Sequence, residues 1–171
     1  MWTVLGTWPR PSRWNDRGVV PVTGARTDQD TDEMQLRPPS PGTVCGLGID
    51  AVDVERFRRV MERRPRLAHR VFTDAERAYA LRASDPAPRL AARFAAKEAV
   101  MKALGVGIGA IGMREIEVTR AESGAPDVVL AGRAAALAQH RGVSGWHVSL
   151  THTELVAIAS VVALGAHGKG A

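Results

Sequence analysis

The chain has 171 residues, 45% of them hydrophobic and 24% charged, with a formal charge of +5. That length makes one domain with enough apolar material for a core, which excludes a mostly disordered protein. Cys45 is the single cysteine, so an intrachain disulfide and a cysteine-based zinc cluster are excluded. No run reaches the roughly 18 uninterrupted apolar residues of a membrane-spanning helix, and the expectation is a cytoplasmic protein without a membrane partner.

The basic residues are 20 Arg and 3 Lys. A coding bias toward Arg produces that ratio, so the Arg count says little, whereas Lys97 and Lys102, five residues apart, stand out. A positive field suits an acidic partner, whether nucleic acid, a phosphate-bearing cofactor or an acidic protein.

Residues 1–42 carry Pro9, Pro11, Pro21, Pro38, Pro39 and Pro41, an acidic cluster at Asp28, Asp30, Asp32 and Glu33, and little periodicity. Five acids balance five arginines there, so the net charge belongs to residues 43–171. This composition predicts a flexible N-terminal extension, with Trp2, Trp8 and Trp14 able to cover a patch on the domain. The domain is expected over residues 43–165, followed by a flexible tail at 166–171.

In TVCGLGIDAVDVERF, Val44, Leu47 and Ile49 fit a short strand, and Gly46 and Gly48 permit close backbone approach. Asp50 or Asp53 can cap a helix beginning near Val54, with Phe57, Val60 and Met61 on one side. Between Val54 and Arg70 seven Arg stand against Glu55 and Glu62, the most basic stretch of the chain. Thr73 or Asp74, with Glu76 behind it, writes a capping box for a helix to about Ala83, which the SDPAP segment ends. RLAARFAAKEAVMKAL, from Arg89 to Leu104, is the strongest helix signal, and Gly105 stops it. REIEVTR and DVVLAG read as strands joined by a SGAP turn, followed by an Ala-rich helix. WHVSLTH and LVAIASVVAL read as an antiparallel hairpin. The order of elements predicts α+β, with long helices against a mainly antiparallel sheet.

Asp50 and Glu98 are candidate magnesium ligands, since that ion prefers hard oxygens from one or two carboxylates plus phosphate and water. A helix cap at Asp50 and an i,i+4 pair between Glu98 and Lys102, worth about 0.2–0.5 kcal/mol, would explain the same residues. Lys97 and Lys102 lie about 140° apart on a helical wheel, so only Lys102 shares a face with Glu98. GVGIG after the helix can cradle phosphate through its amides or simply terminate the helix. It is neither a Walker motif nor a dinucleotide fingerprint, because lysine precedes the glycines and no strand leads into them. His147 and Ser149 share one face of the WHVSLTH strand, opposite Trp146, Val148 and Leu150, and make either a pocket wall or a half-exposed edge.

GLGIDAVDVERF, FTDAE, ARFAAKEAVMKALG and WHVSLTH, in this order, resemble the holo-acyl-carrier-protein synthases, the small trimeric class of 4'-phosphopantetheinyl transferases. The resemblance runs from Val44 to Leu164. It implies the fold of that family and transfer of the 4'-phosphopantetheine group from coenzyme A to a serine of apo-acyl carrier protein, leaving adenosine 3',5'-bisphosphate. It further implies that Asp50 and Glu98 bind magnesium, that Lys102 contacts the pyrophosphate, and that these three carry catalysis. Arg93, Lys97, Gly105, Gly107 and His147 are implied to bind coenzyme A. Arg56, with Arg59 and Arg63, is implied to hold the acidic carrier protein. A homotrimer with active sites between subunits is implied as well, and no nucleic acid partner is expected. The rival readings are a basic nucleic-acid-binding module, which here lacks any zinc-finger spacing or aromatic stacking platform, and a catalytically silent trimer. The 42-residue leader and the compact GVGIGAIGMREIEV loop depart from the family pattern.

Overall fold

A computed structural model describes residues 43–165, and the readings made for residues 1–42 and 166–171 lie outside it. In chain order the elements are β1 Thr43–Asp53, α1 Val54–Arg63, α2 Pro65–Val71, α3 Asp74–Ala80, α4 Ala87–Ala103, β2 Ile116–Arg120, β3 Pro126–Leu130, α5 Gly132–His140, β4 Val143–His152 and β5 Val156–Gly165. A 3-10 turn at Met113–Glu115 precedes β2. One antiparallel sheet has the order β1-β5-β4, and β2 and β3 form a separate antiparallel hairpin. This is the expected α+β architecture.

The local signals act largely as written. Asp53, not Asp50, caps α1, its carboxylate accepting from the Arg56 amide at 2.7 Å. The capping box at Thr73 and Glu76 is complete in both directions. The basic stretch holds two helices because Pro65 opens a new one at its first turn. Past α4, Gly105 takes φ 61°, Val106 N–H reaches Met101 O and Gly105 N–H reaches Lys102 O, a Schellman closure. β1 is longer than expected and runs through to Asp53, so Asp50 sits inside the strand rather than at its end.

α4 is buried on most of its circumference, with Ala91, Ala95, Ala96 and Ala99 at zero exposure. Small side chains on the helix meet glycines on the strand. A Cβ on Gly48 would lie 2.8 Å from the Ala99 carbonyl carbon and 2.9 Å from the Ala103 nitrogen. Two apolar clusters flank the helix. One joins it to β2, β3, α5 and β5, and the other joins its first half to Phe57 of α1 and Phe72.

The opposite face of the three-stranded sheet carries no covering element among the described residues. Strand register aligns Leu47 with Val162 and His147, Ile49 with Ser160 and Ser149, and Ala51 with Ile158 and Thr151. Leu47 is 60% exposed, Ile49 55% and Ile158 37%, so this face is both apolar and open.

Candidate active site

Close packing of β1 on α4 brings together residues far apart in sequence. Asp50 shares its register row with Ala159 and Leu150 on the α4 side of the sheet. Lys102, in the last turn of α4, places its Nζ 2.7 Å from Asp50 Oδ1 and 2.9 Å from the Ile49 carbonyl. Glu98 lies one turn earlier on the same helical face. Asp50 and Glu98 both line a cleft of about 560 Å³ whose other walls include Arg56, Phe57, Met61 and Phe94. Partial burial holds the Glu98 carboxyl above its ordinary range; the Asp50 charge adds to this, and Lys102 opposes it. The coupling with Asp50 is what two carboxylates facing one opening produce.

Among the described residues no group of three or more acids, histidines or cysteines converges. Asp50 and Glu98 are two carboxylates on one opening, a donor set that fits a hard divalent ion completing its shell with water and phosphate oxygens. It does not fit a closed zinc site, which takes four protein ligands. Lys102 pairs with Asp50 rather than with Glu98, the partner that i,i+4 spacing suggests.

A second cleft, of about 270 Å³, lies where α3, α4 and the β2–β3 hairpin meet, and it also reaches His152. The guanidinium carbons of Arg89, Arg93 and Arg120 stand 5.1, 4.1 and 5.6 Å from the centre of the Tyr79 ring. Such cation–π contacts hold the guanidinium planes in place. Arg120 also donates to the Tyr79 hydroxyl at 3.0 Å. Arg93 is 5% exposed and donates to the Arg89 carbonyl at 3.2 Å, while its buried Nε has no partner among the described residues. Burial pulls the Arg93 guanidinium below its ordinary pKa, and Tyr79 and Glu76 offset part of that. Among the described residues that line this cleft none is acidic. Its three guanidinium groups give it a positive lining.

One expectation needs correction. Lys97 does not reach a ligand: its side chain has no exposure, and its ammonium is consumed by Glu76 at 2.8 Å and by the carbonyls of Met113 and Ile116. Burial pulls its pKa down and Glu76 pushes it back up. His147 faces the open side of the sheet, away from Asp50, so within one chain it does not join the carboxylate cleft. Arg93 belongs to the second cleft, not to the first. Gly105 and Gly107 follow α4 directly beyond Lys102; a Cβ on Gly105 would meet the Arg141 guanidinium at 2.7 Å, whereas Gly107 has open space around it. On α1, Arg56 lines the first cleft, while Arg59 and Arg63 are exposed and Arg59 lies 3.7 Å from Glu55.

Sequence reasoning missed Tyr79, Arg89 and Arg120 and assigned His152 of WHVSLTH to no site. His152 had a usable signal, because an odd separation from His147 sends it to the other face of an alternating strand. Arg89 and Arg120 had none, being two among the 20 arginines of the chain.

The chain belongs to the 4'-phosphopantetheinyl transferase superfamily, whose family model matches residues 46–159. It is therefore a phosphopantetheinyl transferase by family. It is similar to the holo-[acyl-carrier-protein] synthase of Moorella thermoacetica, with 51% identity over 117 residues, covering 68% of this chain and 90% of that protein. Among solved structures it resembles the holo-[acyl-carrier-protein] synthase of Neisseria meningitidis, at 32% identity and a TM-score of 0.65 over 71% of this chain and 98% of the other. It also resembles the Bacillus anthracis enzyme in complex with coenzyme A (3',5'-ADP), at 28% identity and a TM-score of 0.60 over 72% and 98%.

Proposed function

We propose that this chain is a holo-acyl-carrier-protein synthase that transfers 4'-phosphopantetheine from coenzyme A to a serine of apo-acyl carrier protein, with the chemistry at the Asp50–Glu98–Lys102 cleft. The observation that carries this reading is the convergence of Asp50 and Glu98, with Arg56, on one opening, and the pairing of Lys102 with Asp50. Family membership supports the reaction class.

Asp50 and Glu98 would hold magnesium. When bound, the ion would supply a Lewis acid that screens the pyrophosphate of coenzyme A. The serine oxygen forms a bond to the β-phosphorus, and the bond from that phosphorus to the bridging oxygen of the α-phosphate breaks. Adenosine 3',5'-bisphosphate departs with the electron pair, and the serine proton passes to Glu98 or to a water beside it. Lys102 is half exposed on a flexible stem, and its point charge neutralises the leaving phosphate. No activated nucleophile on the enzyme is needed, since positioning and electrostatics supply most of the rate. Gly105 and Gly107 border the nucleotide beyond Lys102. Arg56, Arg59 and Arg63 steer the acidic carrier and register its serine.

The basic cleft with Arg93 is the second half of the site and takes a phosphate of coenzyme A. Arg93 and Glu98 are five residues apart on α4 and so point in different directions, and each half lacks what the other holds. A homotrimer in which a neighbouring subunit supplies the missing half accounts for both, and for His147 on the open face. The exposed apolar row at Leu47, Ile49 and Ile158 supports self-association on that face.

The test is the intact mass of apo-acyl carrier protein after incubation with the chain, coenzyme A and magnesium, beside a chelator control. A gain of one phosphopantetheine arm that vanishes with chelator is expected; no gain with a folded enzyme overturns the reading. Mixing inactive Asp50→Asn and Arg93→Ala subunits tests the shared site. Mixed oligomers should recover part of the turnover, and no recovery after verified subunit exchange refutes it.

A further inference from the structure

Neither side chain of the Lys97–Glu76 ion pair has any solvent exposure, and their charged atoms are 2.8 Å apart. The pair is saturated with hydrogen bonds. Lys97 donates to the Met113 carbonyl at 2.9 Å and to that of Ile116, while Glu76 accepts from the Thr73 amide at 2.9 Å and the Val118 amide at 3.0 Å. Such a pair contributes little net stability, because desolvating two charges offsets most of their attraction. What it does impose is geometry, since any shift of one element leaves a buried charge without its partner.

Three elements meet at this knot: α3 through Glu76, α4 through Lys97 and β2 through the Val118 amide. The same three elements build the basic cleft. Tyr79 follows Glu76 by three residues, Arg93 precedes Lys97 by four, and Arg120 follows Val118 by two. Those are the separations at which residues share one face of a helix or a strand. Tyr79, Arg93 and Arg120 therefore move with the knot, and their mutual contacts, 4.1 Å from Arg93 to the Tyr79 ring and 3.0 Å from Arg120 to its hydroxyl, leave little slack.

We infer that Lys97 and Glu76 are positioning residues for the basic cleft: they set the spacing of Arg93, Arg120 and Tyr79, and thereby the affinity for the phosphate that cleft takes, without touching the ligand. The inference rests on the reading of that cleft as the phosphate-holding half of the site. It gives Lys97 a role in coenzyme binding that acts through Arg93.

The test uses the full chain and adenosine 3',5'-bisphosphate as probe, with affinity measured by calorimetry. The double variant Glu76→Gln/Lys97→Met removes both charges at nearly constant volume. Its affinity for the bisphosphate should weaken about tenfold, the scale expected from misplacing binding groups by a fraction of an ångström. The KM for carrier protein should stay at its wild-type value, because Arg56, Arg59 and Arg63 lie on α1, outside the knot. Arg93→Ala, run alongside, reports on the underlying reading. If it leaves the affinity unchanged, the basic cleft is not a phosphate site and that reading falls. If Arg93→Ala weakens binding while the folded double variant does not, the positioning role alone is overturned. Equal rises in the KM values of coenzyme A and carrier also overturn it, since they indicate general loosening. Should the double variant fail to fold, Glu76→Asp keeps the charge but withdraws the carboxylate by one methylene, and the same comparison applies.

Discussion

Gly48→Ala tests whether the contact of β1 with α4 assembles the candidate site. The added Cβ would sit 2.8 Å from the Ala99 carbonyl carbon and 2.9 Å from the Ala103 nitrogen, with the Ala99 carbonyl oxygen nearer still. Non-bonded carbons settle at about 3.5–4.0 Å, so strand and helix must part by at least ~0.7 Å. All three obstacles are backbone atoms, and no side chain can rotate away. Overpacking of this kind costs about 1–3 kcal/mol, and a rigid backbone contact belongs at the upper end. For a domain of this size that is a fall in Tm of about 10 °C. The same displacement moves Asp50 away from Glu98 and Lys102 by more than the ~0.5 Å that a catalytic constellation tolerates, so turnover should fall about 100-fold. The assays are thermal unfolding by circular dichroism and initial rates of carrier modification by mass. Gly107→Ala, with nothing within 4 Å of the new Cβ, serves as the stability control and should leave Tm unchanged. A Gly48→Ala protein with wild-type Tm and wild-type turnover would refute the reasoning.

Glu98→Gln should lose magnesium-dependent turnover by about 100-fold. Its Tm near neutral pH should hold or rise, because a folded-state pKa above the ordinary value means that the charged carboxylate costs stability there; retained turnover, or a marked fall in Tm, contradicts this. Replacing Arg56, Arg59 and Arg63 by Ala should raise the carrier KM about tenfold and leave the KM for coenzyme A unchanged. The difference should shrink with added salt as the Debye length drops below ~8 Å, and an unchanged carrier KM with lost kcat would remove α1 from docking. Arg58 grips Asp85 at 2.7 and 2.8 Å, and its hydrogen bonds, joined by the Ala87 amide, hold the Asp85 carboxyl at about 2 instead of 3.8. A lowered carboxylate pKa stabilises the fold above the unfolded value and loses that contribution as pH falls through the folded one. The Tm difference between wild type and Asp85→Asn should therefore be present at neutral pH and close between about pH 4 and pH 2; a gap that persists on acidification counts against the pairing.

Local features of this protein were legible from the amino-acid order because they are settled by neighbours within a few residues. Asp53 caps α1, Thr73 and Glu76 close a capping box, and Gly105 ends α4, each through bonds spanning three to five positions. The alternation in WHVSLTH placed His147 opposite Trp146, Val148 and Leu150, and the glycines of β1 announced a close approach. The motifs that carry the family resemblance lie on these elements.

What the order of residues left undecided is what packs against each face. Two lysines about 140° apart on one helix look alike in sequence. Tertiary structure sends Lys102 to Asp50, 52 residues away, and seals Lys97 against Glu76, 21 residues away. Asp50 was a possible cap or a possible ligand until β1 crossed α4, and Arg120 was one arginine among 20 until β2 brought it to Tyr79, whose ring Arg93 covers. Burial and ion pairing depend on partners distant along the chain, so the sequence alone determined which side chains were available, and the packing of β1, α3 and β2 around α4 decided which became a ligand, a clamp or a support.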